Sequence, residues 1–426
     1  MKKEICPKNS LKGKFKVPGD KSISHRSVML GSIASGTTEV YSFLMGADCL
    51  STIDCFRKMG IQIDVSDEKV VIHGKGLNGL TAPTDILDVG NSGTTMRLIT
   101  GLLSAQKFNS KITGDSSIQK RPMNRVSIPL KEMGASFEGE KDGKLFAPFG
   151  IEGKPLKGIK YTLPVASAQV KSAIILAGLY ADGTTIIEEP EATRDHTEIM
   201  LNYLGADIKH NGTEIICNPV KELYGKTIHV PGDISSAAFF MVAGAICENS
   251  HIILENIGIN PTRTGIITVL QNMGADLKII NERTVCGELV ADIEIKSSKL
   301  KGTIIEGDLI PKLIDEIPVI AVAATFAEGK TIVRNAEELK VKESNRIKTV
   351  KDELTKLGAD IEETEDGMII NGVNKLIGAE TESHNDHRIA MSIAIAALKA
   401  EGKTVINNSE CVDISFPNFY HYIEEL

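Results

Sequence analysis

Apolar positions along the chain gather into alanine-rich stretches, such as residues 172–179 and 389–398, that are hydrophobic on nearly every face. A helix with no polar stripe is one enclosed inside a domain, and none of these stretches reaches the ~20 uninterrupted apolar residues of a membrane span. Each opens on a short polar motif. The openings are Gly19-Asp20-Lys21-Ser22, Gly90-Asn91-Ser92-Gly93-Thr94-Thr95, Ser167-Ala168-Gln169, Gly232-Asp233-Ile234-Ser235, Asp315-Glu316-Ile317-Pro318 and Asn385-Asp386-His387-Arg388. They recur at roughly 70-residue intervals, a period that predicts six supersecondary units.

Two further markers keep the same phase. A more polar helical segment ends five times on Met-Gly or Leu-Gly, at Met59-Gly60, Met133-Gly134, Leu204-Gly205, Met273-Gly274 and Leu357-Gly358. Alternating apolar residues follow, so each glycine is expected to end a helix and a strand to begin after it. After the apolar helices comes a glycine-led exit into a β-branched run, as in Gly36-Thr37-Thr38-Glu39-Val40 and Gly402-Lys403-Thr404-Val405-Ile406. The units are therefore mixed α/β, with buried parallel helices.

Val17-Pro18-Gly19-Asp20 and Val230-Pro231-Gly232-Asp233 are near copies that bracket three of the six units. They predict two domains of three repeats each: an inserted domain over 21–231, and a discontinuous one formed by 1–20 plus 232–426. The chain would cross twice between them, and a ligand is expected in the interdomain cleft, where the helix openings point.

Composition adds limits. With 42% hydrophobic residues, the 426-residue chain has ample material for two cores. Seven cysteines without CxxC spacing are expected to be reduced thiols, and the first residues lack the apolar core of a secretory signal, so a cytoplasmic protein is expected. A net charge of −8 with no compensating basic stripe argues against a nucleic-acid partner. The nine histidines show no metal-ligand spacing, so no metal is expected. A P-loop is excluded because Asp20 stands where Gly must precede Lys-Ser, and no GxGxxG opening is present.

The anion chemistry is local. Lys21 and Arg26 belong to the first opening, Arg97 to the second, Lys171 and Arg194 to the region of the third, and Lys342, Arg346 and Arg388 to the last two units; Arg121 precedes Pro122-Met123. Helix N-termini aimed at one place add positive potential to those side chains. Guanidinium groups grip carboxylate or phosphate bidentately, and lysine can also transfer a proton. Small, multiply charged anions fit such a set.

Five segments in register carry a resemblance: Pro18-Gly19-Asp20-Lys21-Ser22-Ile23-Ser24-His25-Arg26, Gly90 through Leu98, Lys120-Arg121-Pro122-Met123, Lys342-Glu343-Ser344-Asn345-Arg346 and Asn385-Asp386-His387-Arg388. In order and spacing the chain resembles the 5-enolpyruvylshikimate-3-phosphate synthase family over essentially its whole length. The resemblance implies the two-domain enolpyruvyl transferase fold of six βαβαββ units. It also implies cofactor-free transfer of the enolpyruvyl group of phosphoenolpyruvate to the 5-hydroxyl of shikimate 3-phosphate, by addition and elimination through a tetrahedral intermediate.

By motif match the resemblance assigns shikimate 3-phosphate to Lys21, Ser22, Arg26, Ser167, Ala168, Gln169, Arg194, Asp315 and Lys342. It assigns phosphoenolpyruvate to Lys21, Gly93, Arg121, Gln169, Arg346 and Arg388, and catalysis to Asp315, Glu343 and Lys21. Asp315 would take the hydroxyl proton, and Glu343, with Lys21, the proton exchanged at the methylene carbon. The residues by themselves leave alternatives: Asp315 as the cap of the helix near Ile317, Glu343 as the partner of Arg346 at helical spacing, and Asp386 and His387 as groups that only orient Arg388. The family's inhibitor glyphosate is expected to compete with phosphoenolpyruvate beside Gly93. Ile414 stands where some members carry a lysine, and Ser167 through Lys171 with Arg194 through Glu198 look more like the class II branch. The related transferase acting on UDP-N-acetylglucosamine has Lys-Asn after its first strand and a loop cysteine; this chain has Lys21-Ser22 and no cysteine between Gly114 and Arg121. A monomer is expected.

Overall fold

The computed structural model describes residues 1–67 and 69–426. The chain divides into two compact units, one of Gly19–Val230 with Val285–Glu288, the other of Met1–Pro18, Pro231–Thr284 and Leu289–Leu426.

The Gly19–Val230 unit carries three four-stranded sheets of one design. In the first, Ser35–Tyr41 pairs antiparallel with Lys69–Lys75, which takes Gln62–Val65 on its other edge, and Ile228–His229 lies parallel to Ser35–Tyr41. Leu87–Asp88 with Ser110–Thr113, and Lys160–Thr162 with Thr185–Glu188, begin the second and third in the same way. The first sheet thus takes its parallel strand from the end of the segment, which closes the set of three.

The other unit repeats the plan in two four-stranded sheets and varies it in the third, which has three strands. Its sheets are built on the parallel pairs Lys12–Phe15 with His251–Gly258, Ile304–Ile305 with Lys330–Val333, and Glu380–Glu382 with Thr404–Asn407. The N-terminal strands Lys2–Ile5 and Lys12–Phe15 complete two of these sheets, which is why this unit is discontinuous in sequence.

The Met-Gly and Leu-Gly markers have a physical cause. Gly60, Gly134, Gly205, Gly274 and Gly358 all have φ between +85° and +109°. The next residue's N–H reaches back to close the helix, from Ile61 to Phe56, Ala135 to Leu130, Ala206 to Leu201, Ala275 to Leu270 and Ala359 to Leu354. These are Schellman closures, which need a residue that tolerates the left-handed region.

Inside each unit the alanine-rich helices form the core. The helix Ile234–Ile246 is buried at all 13 positions, and Ile317–Thr325 at all 9. In the other unit, Gly93–Ser104 and Ala168–Gly178 pack so closely that a Cβ on Gly101 would stand 2.1 Å from the Ala173 carbonyl oxygen. Burying each Leu, Ile or Val side chain is worth about 1.5–3 kcal/mol, so these cores dominate the stabilising side. With their sides apolar, the helices keep polar chemistry only at their starts. Among the described residues no helix is long and apolar enough to cross a membrane.

Candidate active site

In the Gly19–Val230 unit three helix starts come together. Asp20 caps Lys21–Ile33 by accepting from the Ile23 N–H at 2.9 Å, and Ser92 caps Gly93–Ser104 by accepting from Thr95 at 3.1 Å. Ser167 faces the Val170 N–H at 3.5 Å in the same role on Ala168–Gly178. With the caps supplied by residues outside the helices, first-turn side chains are left to meet each other. Arg26 donates to Thr197 Oγ1 at 2.7 Å, to Ser172 Oγ at 3.0 Å and to the Ser22 carbonyl at 3.0 Å. Gln169 accepts from Arg97 at 2.5 Å and donates to Thr94 at 3.0 Å.

Burial pushes the Arg26 guanidinium down to about 10, against the pull of Glu198 and Asp20, so it is a cation at neutral pH. Lys21, a quarter exposed, meets Asp48 at 2.5 Å. Arg121 donates to Asn91 Oδ1 at 3.3 Å and Ser117 Oγ at 3.1 Å. A Cβ on Gly93 would stand 2.8 Å from Arg97 Nη1 and 3.4 Å from Arg121 Nη1, so glycine here brings the helix start up against both guanidinium groups. Arg194, half-buried, adds positive charge near Arg26.

Lys171 is a correction to the sequence reading. Rather than standing with its charge uncancelled at a helix opening, it is fully buried between Glu198 at 2.8 Å and Glu189 at 3.0 Å. Burial works against its charge, but Glu198 and Glu189 outweigh that and hold its pKa up. It also donates to the Thr193 carbonyl, tying down the segment that carries Arg194.

In the other unit carboxylates surround the helix starts. Asp315 is not the cap: Glu316 occupies that position on Ile317–Thr325 and makes no side-chain capping bond. Asp315 Oδ1 instead meets Arg346 Nη1 at 3.3 Å and Lys342 Nζ at 3.6 Å. Glu343 pairs with Arg346 Nη2 at 2.6 Å, three residues apart, but it precedes the helix Arg346–Lys356, so this is a contact of the turn.

Asp386 orients Arg346, not the Arg388 guanidinium: its Oδ2 takes Arg346 Nε at 2.9 Å and its Oδ1 takes Nη2 at 3.2 Å, while it caps the last buried helix through the Arg388 backbone N–H. Burial alone would lower the Arg346 pKa, but Asp386, Glu343 and Asp315 more than reverse it. In return, Arg346 outweighs burial at Asp386 and holds that carboxyl below its usual range. Arg388 Nη1 lies 3.9 Å from Glu316 Oε1. Ile414 ends a short 3₁₀ turn and packs against the apolar core.

Sequence reasoning missed the groups that hold these side chains: Asp48, Glu189, Glu198 and Glu316. Glu316 could have been flagged, since a carboxylate opening an otherwise apolar helix has to be compensated. The others depend on contacts distant in sequence.

Comparisons with known proteins bear on the family of the whole chain. The family described as EPSP synthase (3-phosphoshikimate 1-carboxyvinyltransferase) matches residues 5–423. The chain is 56% identical over 423 residues to the 3-phosphoshikimate 1-carboxyvinyltransferase of Thermoanaerobacter sp. (strain X514), covering 99% of both. It is 53% identical over 424 residues to that of Desulforudis audaxviator (strain MP104C), again covering 99% of both. Its fold is similar to a solved EPSP synthase of Acinetobacter baumannii, with a TM-score of 0.91 and 51% identity over 100% of this chain and 98% of that one. On its folded repeats, its five motif segments and these full-length likenesses, the chain belongs to the EPSP synthase family.

Proposed function

We propose that this chain transfers the enolpyruvyl group of phosphoenolpyruvate to the 5-hydroxyl of shikimate 3-phosphate, with release of phosphate. The observation that carries the proposal is a division of labour between the helix starts. One unit presents arginines, Arg26, Arg97 and Arg121, bonded to neutral oxygens, and the other presents Asp315 and Glu343 on a single guanidinium, that of Arg346. An anionic substrate needs the first, and a proton-transferring addition and elimination needs the second.

In this reading Lys21, Ser22, Arg26, Ser167, Ala168, Gln169 and Arg194 hold shikimate 3-phosphate, with Asp315 and Lys342 at its hydroxyls. Phosphoenolpyruvate is taken by Lys21, Gly93, Arg121, Gln169, Arg346 and Arg388. The 5-hydroxyl adds to C2 of phosphoenolpyruvate while C3 gains a proton; phosphate and a methyl proton then leave, giving the enol ether. Asp315 accepts the hydroxyl proton, and Glu343 with Lys21 serves the methylene carbon.

Arg346 already gives four N–H bonds to Asp386, Asp315 and Glu343. One of its five N–H groups is left, so a bidentate grip on phosphoenolpyruvate requires a carboxylate to yield, and in this reading Asp315 and Glu343 are the ones that would. Lys21 likewise must exchange Asp48 for substrate. No step calls for a cofactor, and the proposal has the chain acting as a cytoplasmic monomer.

The experiment is phosphate release by the purified protein with phosphoenolpyruvate and either shikimate 3-phosphate or UDP-N-acetylglucosamine. Release with shikimate 3-phosphate alone is expected. Release with the sugar nucleotide alone overturns the reading.

A further inference from the structure

Glu316 is a buried carboxylate that the steps above do not use. Its side chain is fully enclosed, and its Oε1 accepts a hydrogen bond from Ser235 Oγ. The same Ser235 hydroxyl takes Arg263 Nη2 at 2.7 Å, and Arg263 is paired with Asp233 at 3.3 Å. Beyond Oε1, at 3.9 Å, lies the Arg388 guanidinium, while Oε2 is buried without a hydrogen-bond partner. A carboxylate enclosed in this way is costly unless a nearby charge compensates it.

We infer that Glu316 is a positioning residue for Arg388, holding its guanidinium by charge at a distance that leaves its N–H groups available for phosphoenolpyruvate. The inference rests on the reading of Arg388 as a phosphoenolpyruvate contact. At 3.9 Å the pair is too long to be a hydrogen bond. Arg346 shows the other arrangement, with four N–H bonds already made to carboxylates. A guanidinium drawn in one direction yet not consumed can still grip an anion bidentately. Ser235 fixes the carboxylate through the same oxygen, Oε1, that Arg388 faces, so three helix starts, at Ile234, Ile317 and His387, set where Arg388 stands.

Glu316→Gln keeps the shape and the acceptor for Ser235 and removes the charge. It is expected to raise KM for phosphoenolpyruvate by about tenfold, one lost charge interaction. The turnover number and KM for shikimate 3-phosphate should stay close to wild type, a split that a general loss of structure would not produce. Glu316→Asp, which keeps the charge, should restore much of the affinity.

Arg388→Gln is the control for the underlying reading. If it leaves KM for phosphoenolpyruvate unchanged, Arg388 is misassigned. If it raises KM while a folded Glu316→Gln does not, the positioning inference is overturned and the reading stands. The double variant should be no worse than Arg388→Gln alone, because the two changes remove one interaction; additive effects overturn the inference. Should Glu316→Gln fail to fold, Ser235→Ala, which frees the carboxylate, must still raise KM for phosphoenolpyruvate selectively, and an unchanged value overturns the inference.

Discussion

Around the helix starts of the Gly19–Val230 unit, Arg26, Arg97 and Arg121 give their N–H groups to hydroxyl, amide and carbonyl oxygens. Around the corresponding starts of the other unit, Arg346, Arg388 and Arg263 face carboxylates. The repeats supply the same scaffold in both: a capped, apolar helix whose first turn meets those of its neighbours. What differs is whether the partners cancel the charge. Neutral partners orient a guanidinium and leave its field for an anion, whereas carboxylate partners offset that field and are themselves held in place by it. One architecture therefore yields uncancelled guanidinium groups in one unit and guanidinium–carboxylate clusters in the other, the difference on which the proposed receptor and proton-transfer roles rest.

The largest test removes a carboxylate from the second cluster. Asp315→Asn preserves shape, and the loss of a positioned base should lower turnover by about two to four powers of ten with the fold intact. Near-normal turnover would make Asp315 only a partner of Arg346 and Lys342, and the contrast between the clusters would lose its chemical meaning.

Lys171 tests the comparison from the other side, being the cation of the receptor unit whose charge is spent on carboxylates. Lys171→Met strands Glu189 and Glu198 in the interior. Removing one partner from a buried ion network costs about 3–5 kcal/mol, to be read as a lower denaturant midpoint. The protein that remains folded should bind shikimate 3-phosphate almost as well as wild type. A stable variant with much weaker binding would put Lys171 back among the receptor cations.

How much of this could be read from the chain follows from the range of each interaction. The six repeats and the five Schellman turns were legible because helix burial and the left-handed glycine are local requirements, written in adjacent residues such as Met273, Gly274 and Ala275. The gathering of Arg26 with Ser172, and of Gln169 with Thr94, is not written locally, because it depends on helices distant in sequence bringing their starts together. Charge cancellation was not legible. Lys171 and Arg26 look alike as cations near helix openings, and only contacts such as that between Lys171 and Glu189, 18 residues on, separate them. Asp315 read equally well as a cap or a base until Glu316 was seen to hold the cap position.

A milder change probes the receptor unit at its tightest approach. In Gly93→Ala the new methyl would stand 2.8 Å from Arg97 Nη1 and 3.4 Å from Arg121 Nη1, so guanidinium tips, not backbone, must move. The helix should survive, since alanine favours it over glycine by about 1 kcal/mol. KM for phosphoenolpyruvate should rise a few-fold, on the order of 1 kcal/mol, and the inhibition constant of glyphosate, the longer ligand, should rise more. The check is steady-state inhibition with phosphoenolpyruvate varied at saturating shikimate 3-phosphate. Equal factors for substrate and inhibitor would remove the steric argument.

The smallest expected effect separates the units by pH. His25 lies fully buried within the influence of Lys21 and Arg26, with Nδ1 2.7 Å from Thr52 Oγ1; burial first, then those two cations, push its pKa well below the usual imidazole value. It is therefore neutral in the fold, while the unfolded chain takes up its proton near pH 6.5. Its contribution to stability is complete above that pH and is lost as pH falls toward the lower folded value, at no more than about 1.4 kcal/mol per pH unit. Asp386, with its carboxyl held below the usual range by Arg346, follows the same sign in a lower window: its contribution is complete above about pH 4 and lost in stronger acid. The unfolding free energy of wild type minus that of His25→Gln, from denaturant titrations, should thus be constant above pH 6.5 and shrink between pH 6.5 and 5. A difference that stays flat through that interval would mean that His25 titrates as an ordinary imidazole, and that the cations of the receptor unit do not act on it as the geometry requires.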